Sequence, residues 1–312
     1  MRFNNGDVYT GEVDEKGLPH GRGQMDYKLN GYYATYEGEW EHGERSGRGH
    51  YHKFSSGGGA RHSYEYEGEW LHDMENGEGV STKSDEVGIH LSTVSEVYTG
   101  TFKDGKRHGH GIVERDSFDG RFASGKDRFE GEFEEGRTVG HGVWVYANGD
   151  RFEGEFDAYF MKQGHGVYTF ADGLSFEGEW KNGDFVFDSF QASAQVPVLL
   201  VREHHEGFDY NKSACFLIPV RKEGLALYSE AAVIYKDTVF DIKGKGINIL
   251  AVSTDSVTVE IAAAFMSDGK PVQTTIRRGE TVRYVDEHSA TSTIYDEDYT
   301  YTVGDSIEIT IR

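Results

Sequence analysis

Polar and apolar positions alternate with period two through much of residues 1–187. In RFEGEF (Arg151–Phe156), Phe152, Gly154 and Phe156 fall on one side of an extended chain, and Glu153 and Glu155 fall on the other. The same order opens at Tyr9, Tyr36, Tyr66, Tyr98, Phe129, Phe152 and Phe176, seven starts in all. A Gly-x-Gly step follows in six of them: Gly21/Gly23, Gly47/Gly49, Gly77/Gly79, Gly109/Gly111, Gly140/Gly142 and Gly164/Gly166. Gly164, Gly166 and Tyr168 read as one face of a return strand. Asn148-Gly149, Asp172-Gly173, Asp104-Gly105 and Asn182-Gly183 supply residues suited to positive φ in tight turns. Each repeat is therefore expected to be an antiparallel hairpin with an aromatic face and an acidic face. The gap left by a glycine such as Gly154 is expected to receive a ring from the next repeat. One hairpin buries too little to stand alone, so the repeats must stack.

Repeated Y/F-E-G-E-W/F, followed by G-x-G-x-Y and then A-D-G, resembles the MORN repeat over about residues 1–187. The resemblance implies an elongated, twisted sheet of stacked hairpins that serves protein association, membrane proximity or oligomerisation. MRFNNGD reads as the closing half of a repeat, so the array is expected to begin without a leader. Lys28–Thr35, Lys53–Glu65, Ser81–Val97 and Arg115–Arg128 read as insertions between hairpins, the last holding a degenerate eighth repeat at Phe118. Insertions in repeat proteins often gather on the binding side, although loop growth is also tolerated. The seventh repeat ends GDFVFDSF without Gly-x-Gly and reads as a terminal cap.

Beyond about residue 190 the grammar changes to β-branched alternation. Strands are expected near Val196–Val201, Ala214–Val220, Ala231–Tyr235, Val239–Ile242, Ile247–Val252, Val257–Ala263, Val272–Ile276, Glu280–Tyr284, Thr300–Val303 and Ser306–Ile311. RKEG (Arg221–Gly224), KGKG (Lys243–Gly246), STDS (Ser253–Ser256), SDGK (Ser267–Lys270) and VGDS (Val303–Ser306) read as turns. The expected architecture is all-β: a MORN-repeat domain over 1–190 and a β-sandwich or jelly-roll-like domain over 191–312.

Charge narrows the choice of partner. The formal charge is −22, with 36 acidic against 20 basic residues in 1–190 and 18 against 12 in 191–312. Such a chain repels nucleic acid and anionic lipid on average and attracts basic partners. No run of residues is apolar enough for a membrane span, and the N-terminus has no apolar signal core. Cys215 is the single cysteine and lies in the apolar run ACFLIPV, which suits an inert thiol in the cytoplasm.

Candidate chemistry is sparse. Tyr159, Phe160 and Met161 stand where other repeats have EHGE, KDGK or EEGR. Three apolar residues at a hairpin tip predict docking, either on the C-terminal half or on another protein. Together with Glu153, Glu155, Glu177 and Glu179 they form the expected partner-binding set. Eleven histidines lie in the array, but His108 and His110 lack the companions of a metal site, and no metal or cofactor is expected. Cys215 and Ser213, even with His204, His205 and His288 elsewhere in the chain, lack an activating helix or nucleophile elbow. KGKG is too short to cradle a phosphate. YDEDY (Tyr295–Tyr299) with Asp286 and Glu287 reads as a solvated loop, with Ca²⁺ binding as the alternative. Some SET-domain lysine methyltransferases carry MORN repeats, but EHSATSTIYD (Glu287–Asp296) has Glu where their cofactor strand needs Asn. The expected function is a non-catalytic scaffold that binds a Lys/Arg-rich protein segment through its sheet, with homodimerisation through exposed strand edges also open. The alternative is a carbohydrate- or small-molecule-binding C-terminal module. All four tryptophans lie in the array, which counts against sugar. Membrane attachment is a third option, opposed by the charge.

Overall fold

The computed structural model describes residues 1–312 except 30, 58–59, 88–91, 117–124, 193–197, 207–210, 221–222, 228–231, 237–245, 254, 262–270, 295–296 and 312. Regular structure among the described residues is entirely β. The chain forms two compact units, Met1–Phe160 and Met161–Arg312. The first holds β1 (Val8–Val13), β2 (Pro19–Leu29), β3 (Tyr32–Glu41), β4 (Glu44–Gly57), β5 (Ala60–Leu71), β6 (Met74–Val87), β7 (Ser92–Lys103), β8 (Lys106–Asp116), β9 (Lys126–Glu134), β10 (Arg137–Val145) and β11 (Arg151–Phe156). The second begins with β12 (Lys162–Thr169), β13 (Ser175–Lys181) and β14 (Asp184–Ala192). In the first unit β1–β11 pair in the order of the chain, and in the second β12, β13 and β14 do the same.

Two-residue turns close five of the hairpins. Both central residues have positive φ at His42-Gly43, His72-Asp73, Asp104-Gly105, Glu135-Gly136 and Asn182-Gly183. That geometry matches the twist of the flanking strands. Asn148-Gly149 and Asp172-Gly173 differ from the expected pairs. Only Gly149 (φ 89) and Gly173 (φ 90) enter the left-handed region. There the chain makes longer loops closed by Tyr146 N–H to Asp150 O and Phe170 N–H to Leu174 O, both 2.8 Å. Each tight turn in the first unit also ties to the hairpin before it. Gly43 N–H donates to Pro19 O, Asp73 to Arg45 O, Gly105 to Glu75 O and Gly136 to Arg107 O, at 2.8–3.1 Å.

A ladder of glycines crosses the first unit. Gly11 pairs with Gly23, Gly23 with Gly38, Gly38 with Gly49, Gly49 with Gly68, and Gly68 with Gly79. It continues through Gly100, Gly111, Gly131 and Gly142 to Gly154. The expectation for these gaps needs correction. In the first five repeats they are filled by the leading ring of the same repeat, not by a neighbour's. A Cβ on Gly38 or Gly49 would lie 2.5 Å or less from the Tyr36 hydroxyl, and Tyr9, Tyr66, Tyr98 and Phe129 occupy their own glycine pairs in the same way. The ring reaches back across its own strand because the alternate position beside it has no side chain. In the seventh repeat Phe185 takes this role at Gly178.

The neighbouring repeat contributes the second ring of its strand instead. Trp40 meets Tyr36 at 5.1 Å and Tyr9 of the preceding repeat at 5.4 Å, both edge-on. Trp70, Phe102, Phe133 and Phe156 repeat this bridge to Tyr36, Tyr66, Tyr98 and Phe129. The result is an unbroken zigzag of rings, the edge-to-face arrangement that aromatic quadrupoles favour. Trp40 and Trp70 indole N–H groups donate to Gly23 O and Gly49 O. The hydroxyls of Tyr9, Tyr36, Tyr66 and Tyr98 donate to the carbonyl three residues on.

The return strands are bulged. The first glycine of each Gly-x-Gly has φ between 58 and 67, at Gly21, Gly47, Gly77, Gly109, Gly140 and Gly164. Register slips there, as between Gly68/Gly79 and Trp70/Glu75, where two extra residues sit on the return strand. Gly164, Gly166 and Tyr168 nonetheless keep the expected series on β12, opposite Trp180, Gly178 and Phe176 of β13 in unbroken register. Three insertions are also more ordered than loops. They lengthen the ladders to Leu29↔Tyr32, Gly57↔Ala60 and Val87↔Ser92, at the strand ends opposite the two-residue turns. Phe118 lies outside the described residues.

In the second unit β13 and β14 form the last hairpin, and two antiparallel sheets follow. One has the order β18 (Ala232–Lys236), β16 (Asn211–Pro219), β15 (Val198–Glu206), β23 (Glu297–Ile311), β22 (Thr281–Ile294). The other runs β17 (Gly224–Leu227), β19 (Gly246–Val252), β20 (Ser256–Ile261), β21 (Val272–Arg277). Val257, Val259 and Ile261 alternate inward, as β-branched period-two positions should. The VGDS turn does not form. Residues 303–306 run inside β23, which pairs with β22 from Thr281↔Thr310 to Ile294↔Glu297. Glu297–Tyr299 of the expected acidic loop lie in β23, as do Asp286 and Glu287 in β22, while 295–296 lie outside the described residues. Strand β17 escaped sequence reading because its four residues carry no alternation, and Val239–Ile242, most of KGKG and SDGK lie outside the described residues.

Candidate functional site

The face opposite the rings is built from the residues flanking the glycine ladder. One row pairs Arg22 with Glu39, Arg48 with Glu69, Glu78 with Thr101, His110 with Glu132 and His141 with Glu155. The adjacent row includes Glu37, His50, Glu67, Glu130 and Glu153. In the second unit His165 pairs with Glu179, and Val167 with Glu177. The face is thus less uniformly acidic than the sequence suggested, because arginines and histidines alternate with the carboxylates.

The two ends of this face differ in how their carboxylates are used. Glu12, Glu39 and Glu69 fold onto the bulges of their own repeats, within 2.6 Å of where a Cβ on Gly21, Gly47 or Gly77 would stand. Glu12 accepts the Arg22 backbone N–H at 3.2 Å. From the fourth repeat this stops. Thr101 replaces the glutamate, Gly164 has nothing within 4 Å among the described residues, Glu132 stands 3.2 Å from His110, and Glu155 Oε2 lies 3.6 Å from where a Cβ on Gly140 of the preceding hairpin would stand. Glu130 accepts from Arg128 at 2.7 Å and Glu153 pairs with Arg151 at 2.7 Å. The Arg128 hydrogen bond holds the Glu130 carboxyl below its usual range. Glu155 and Glu179 have no ion-pair partner within 4.0 Å among the described residues. Shallow open grooves of about 520–620 Å³ lie over the first four repeats, one lined by Arg22, Glu37, Glu39, Arg48 and His50.

The ring face carries its own polar rail, two residues after each tight turn. Arg45 lies 4.2 Å above the Trp70 ring and donates to Asp73. Arg107 covers Tyr98 at 4.7 Å and pairs with Glu96 at 2.6 Å. Both guanidiniums combine ring contact with a charge partner, as largely desolvated cations require. The third repeat has Glu75 in this place, accepting the Tyr64 hydroxyl at 2.6 Å. Burial pushes the Glu75 carboxyl upward, against the pull of the Tyr64 bond, Arg45, Lys83 and Arg107. With a raised folded pKa, the ionised form costs stability, and that cost is relieved as pH falls through the folded value toward the ordinary carboxylate range. Glu75→Gln is expected to raise the thermal midpoint at pH 8, with the advantage shrinking by pH 5. A gap that widens on acidification would contradict this.

The fifth repeat has Thr138 at the rail position, too small to cover Phe129. Phe160 fills the space. Its ring meets Phe129 at 5.1 Å, Trp144 at 5.7 Å and Phe133 at 6.2 Å. Arg115 sits over both Trp144 and Phe160. Thr138 is buried and its hydroxyl donates to Asp157 O. Phe160 holds φ 61 to make this reach. Of the expected partner-binding tip, Phe160 therefore packs inside the array, Tyr159 is 71% exposed and Met161 45% exposed. The swap was visible as two coincident departures, a small residue at 138 and one extra residue in the following turn.

Among the described residues no group of three or more His, Cys, Asp or Glu side chains is placed to hold a metal ion, and no helix is long and apolar enough to cross a membrane. Cys215 lies in β16 opposite Arg202 and Tyr235, and Ser213 opposite His204. The family model for the MORN repeat matches residues 9–28, 36–57, 66–86, 98–114, 129–151, 161–175 and 176–185. Six matches begin at the leading aromatics, and the sixth in order begins at 161, past the irregular turn at Asp157–Met161. A search of curated proteins found no match to the chain.

Proposed function

Because the chain belongs to the MORN-repeat proteins through seven repeats across residues 9–185, we propose that it is a non-catalytic scaffold whose sheet binds a protein segment rich in Lys or Arg. The supporting observation is the change in carboxylate use along the polar face. Glu12, Glu39 and Glu69 are committed to their own bulges, whereas Glu132 and Glu155 leave the bulges of their own repeats uncovered and stand on strands β9 and β11 with Glu130 and Glu153. Strands lie about 4.8 Å apart, so a segment laid across β9–β11 meets a carboxylate row at each alternate strand. In the second unit Glu177 and Glu179 continue the same repeat positions. The C-terminal sheets serve as a second module, and the lone Cys215 suits a reducing compartment such as the cytoplasm.

Rim charges of this kind govern association rate and salt sensitivity more than final affinity. A fluorescent Lys/Arg-rich peptide without histidine is expected to bind at low salt and weaken at least tenfold as salt rises to about 0.5 M. Glu130→Gln, Glu132→Gln, Glu153→Gln and Glu155→Gln together should reduce binding further than the same changes at Glu12, Glu39 and Glu69. Anisotropy titrations measure both. Salt-independent binding, or equal loss in the two sets, would overturn the electrostatic role.

A further inference from the structure

The row of the polar face that holds Glu130 and Glu153 is not polar throughout. Across the strands, in register, it runs Val80 on β6, Thr99 on β7, Ile112 on β8, Glu130 on β9, Val143 on β10 and Glu153 on β11. The chain neighbours Val113 and Trp144 are buried with the rings, so Ile112 and Val143 point to the opposite side. Val80 is 40% exposed there, and Ile112 and Val143 are half-buried. A branched aliphatic therefore stands on every second strand, at β6, β8 and β10, where the first two repeats have Gln24 and His50. From β6 to β8 the row carries no charge. One of the shallow grooves, of about 620 Å³, opens here on Val80 and Thr99.

Two features define what can lie on this row. The first is spacing. Alternate strands are about 9.6 Å apart, so the three aliphatic positions recur at that interval. A segment crossing the strands meets all three with one of its faces only if its own repeat matches. Same-face residues recur at about 6.8 Å in a β-strand. In an α-helix they recur at about 5.4 Å per turn, or about 10.5 Å per heptad. In a polyproline II helix, with three residues per turn, they recur at about 9.3 Å. Over two intervals polyproline II drifts by about 0.6 Å from the row and the heptad by about 1.8 Å.

The second feature is charge. Glu130 and Glu153 alternate with Ile112 and Val143, and Glu132 and Glu155 stand two residues further along the same strands. Side chains on either side of the aliphatic line therefore face carboxylates. Lys and Arg suit that place, because their methylene stems can lie on Val143 while their heads reach the acids.

We infer that this face recognises a polyproline II segment with an aliphatic residue at every third position and Lys or Arg beside it, the aliphatic side chains seating at Val80, Ile112 and Val143. This rests on the basic-segment reading above and adds to it a period and an apolar specificity. Such a segment is ordered before it docks, which favours it on an open face that buries modest area.

Three fluorescent peptides titrated against the full chain by anisotropy test this. The first repeats Ile-Lys-Pro three times, the second has the same composition with the isoleucines run together, and the third replaces isoleucine with serine. At about 0.15 M salt the first is expected to bind at least about threefold tighter than the second and about tenfold tighter than the third. Val80→Thr with Ile112→Thr should abolish the preference for the first over the second; threonine is β-branched and keeps the strand. Equal binding of the first two peptides would overturn the period, and continued binding of the serine peptide would then leave the basic-segment reading standing. A preference that survives the double substitution would overturn the seat. Tighter binding by a helical peptide with isoleucines seven residues apart would overturn the conformation. If none of the three binds, both readings fail.

Discussion

Replacing Gly49 with alanine is expected to destabilise the array by about 3 kcal/mol or more, at the upper end of overpacking effects. The new Cβ would stand 2.3 Å from the Tyr36 hydroxyl and 2.4 Å from two ring carbons. Tyr36 is fully buried, with Trp40 and Trp70 edge-on to it, so the ring cannot swing away without opening two neighbouring contacts. Gly57→Ala is the matched control. Nothing lies within 4 Å of its Cβ position, and the change should be neutral or stabilising by a few tenths of a kcal/mol. Hydrogen exchange resolved by strand reads the result better than one melting curve, since a repeat array need not unfold as one cooperative unit. Damage confined to β3–β6 fits the packing described. Equal tolerance at Gly49 and Gly57 would show that the ring does not rest on the glycines.

The second large effect concerns the irregular turn. Phe160→Ala should cost about 2–3 kcal/mol, below the range for a fully buried phenylalanine because the ring is only partly covered. Tyr159→Ala next to it should change stability by less than about 0.5 kcal/mol. Strand-resolved exchange should place the Phe160 effect at β9 and β10, around Phe129, Phe133 and Trp144. If Tyr159 proved the costlier loss, the assignment of Phe160 to the space above Phe129 would fail. A peptide-binding defect from Tyr159→Ala without loss of stability would instead mark that ring as part of a contact surface.

Much of the array was legible because its signals are local. Period-two alternation placed Phe152, Gly154 and Phe156 together and Glu153 and Glu155 opposite them, and the structure buries the first three. What alternation does not convey is which ring fills a glycine gap. That depends on rotamer direction, and both Phe152's own repeat and its neighbour were compatible with the spacing. The bulges were hidden for a related reason. Gly-x-Gly reads as simple alternation until its first member takes positive φ, as Gly77 does at φ 67 beside the register slip between β5 and β6. In the C-terminal unit strong β-branched runs such as Val257–Ile261 announced themselves, but VGDS carried Gly and Asp inside a continuous strand, where pairing with β15 and β22 outweighed turn propensity. On the polar face the acidic positions were evident, whereas their commitment to bulges or to arginines was a matter of three-dimensional reach.

The interlock of Thr138 with Phe160 has an evolutionary corollary. Elsewhere in the first unit the bridging contact is interchangeable: Trp40 on Tyr9 and Trp70 on Tyr36 have nearly the same separation and edge-on angle. Excising or duplicating one whole hairpin there would bring a like ring back onto a like ring, so such an array can change length by genetic slippage. The fifth and sixth hairpins are mated by a small residue on one and a long turn on the other, and a cut between them would leave Phe129 bare. Gains and losses of copies should therefore be confined to the stretch before it, with that junction inherited as a fixed block.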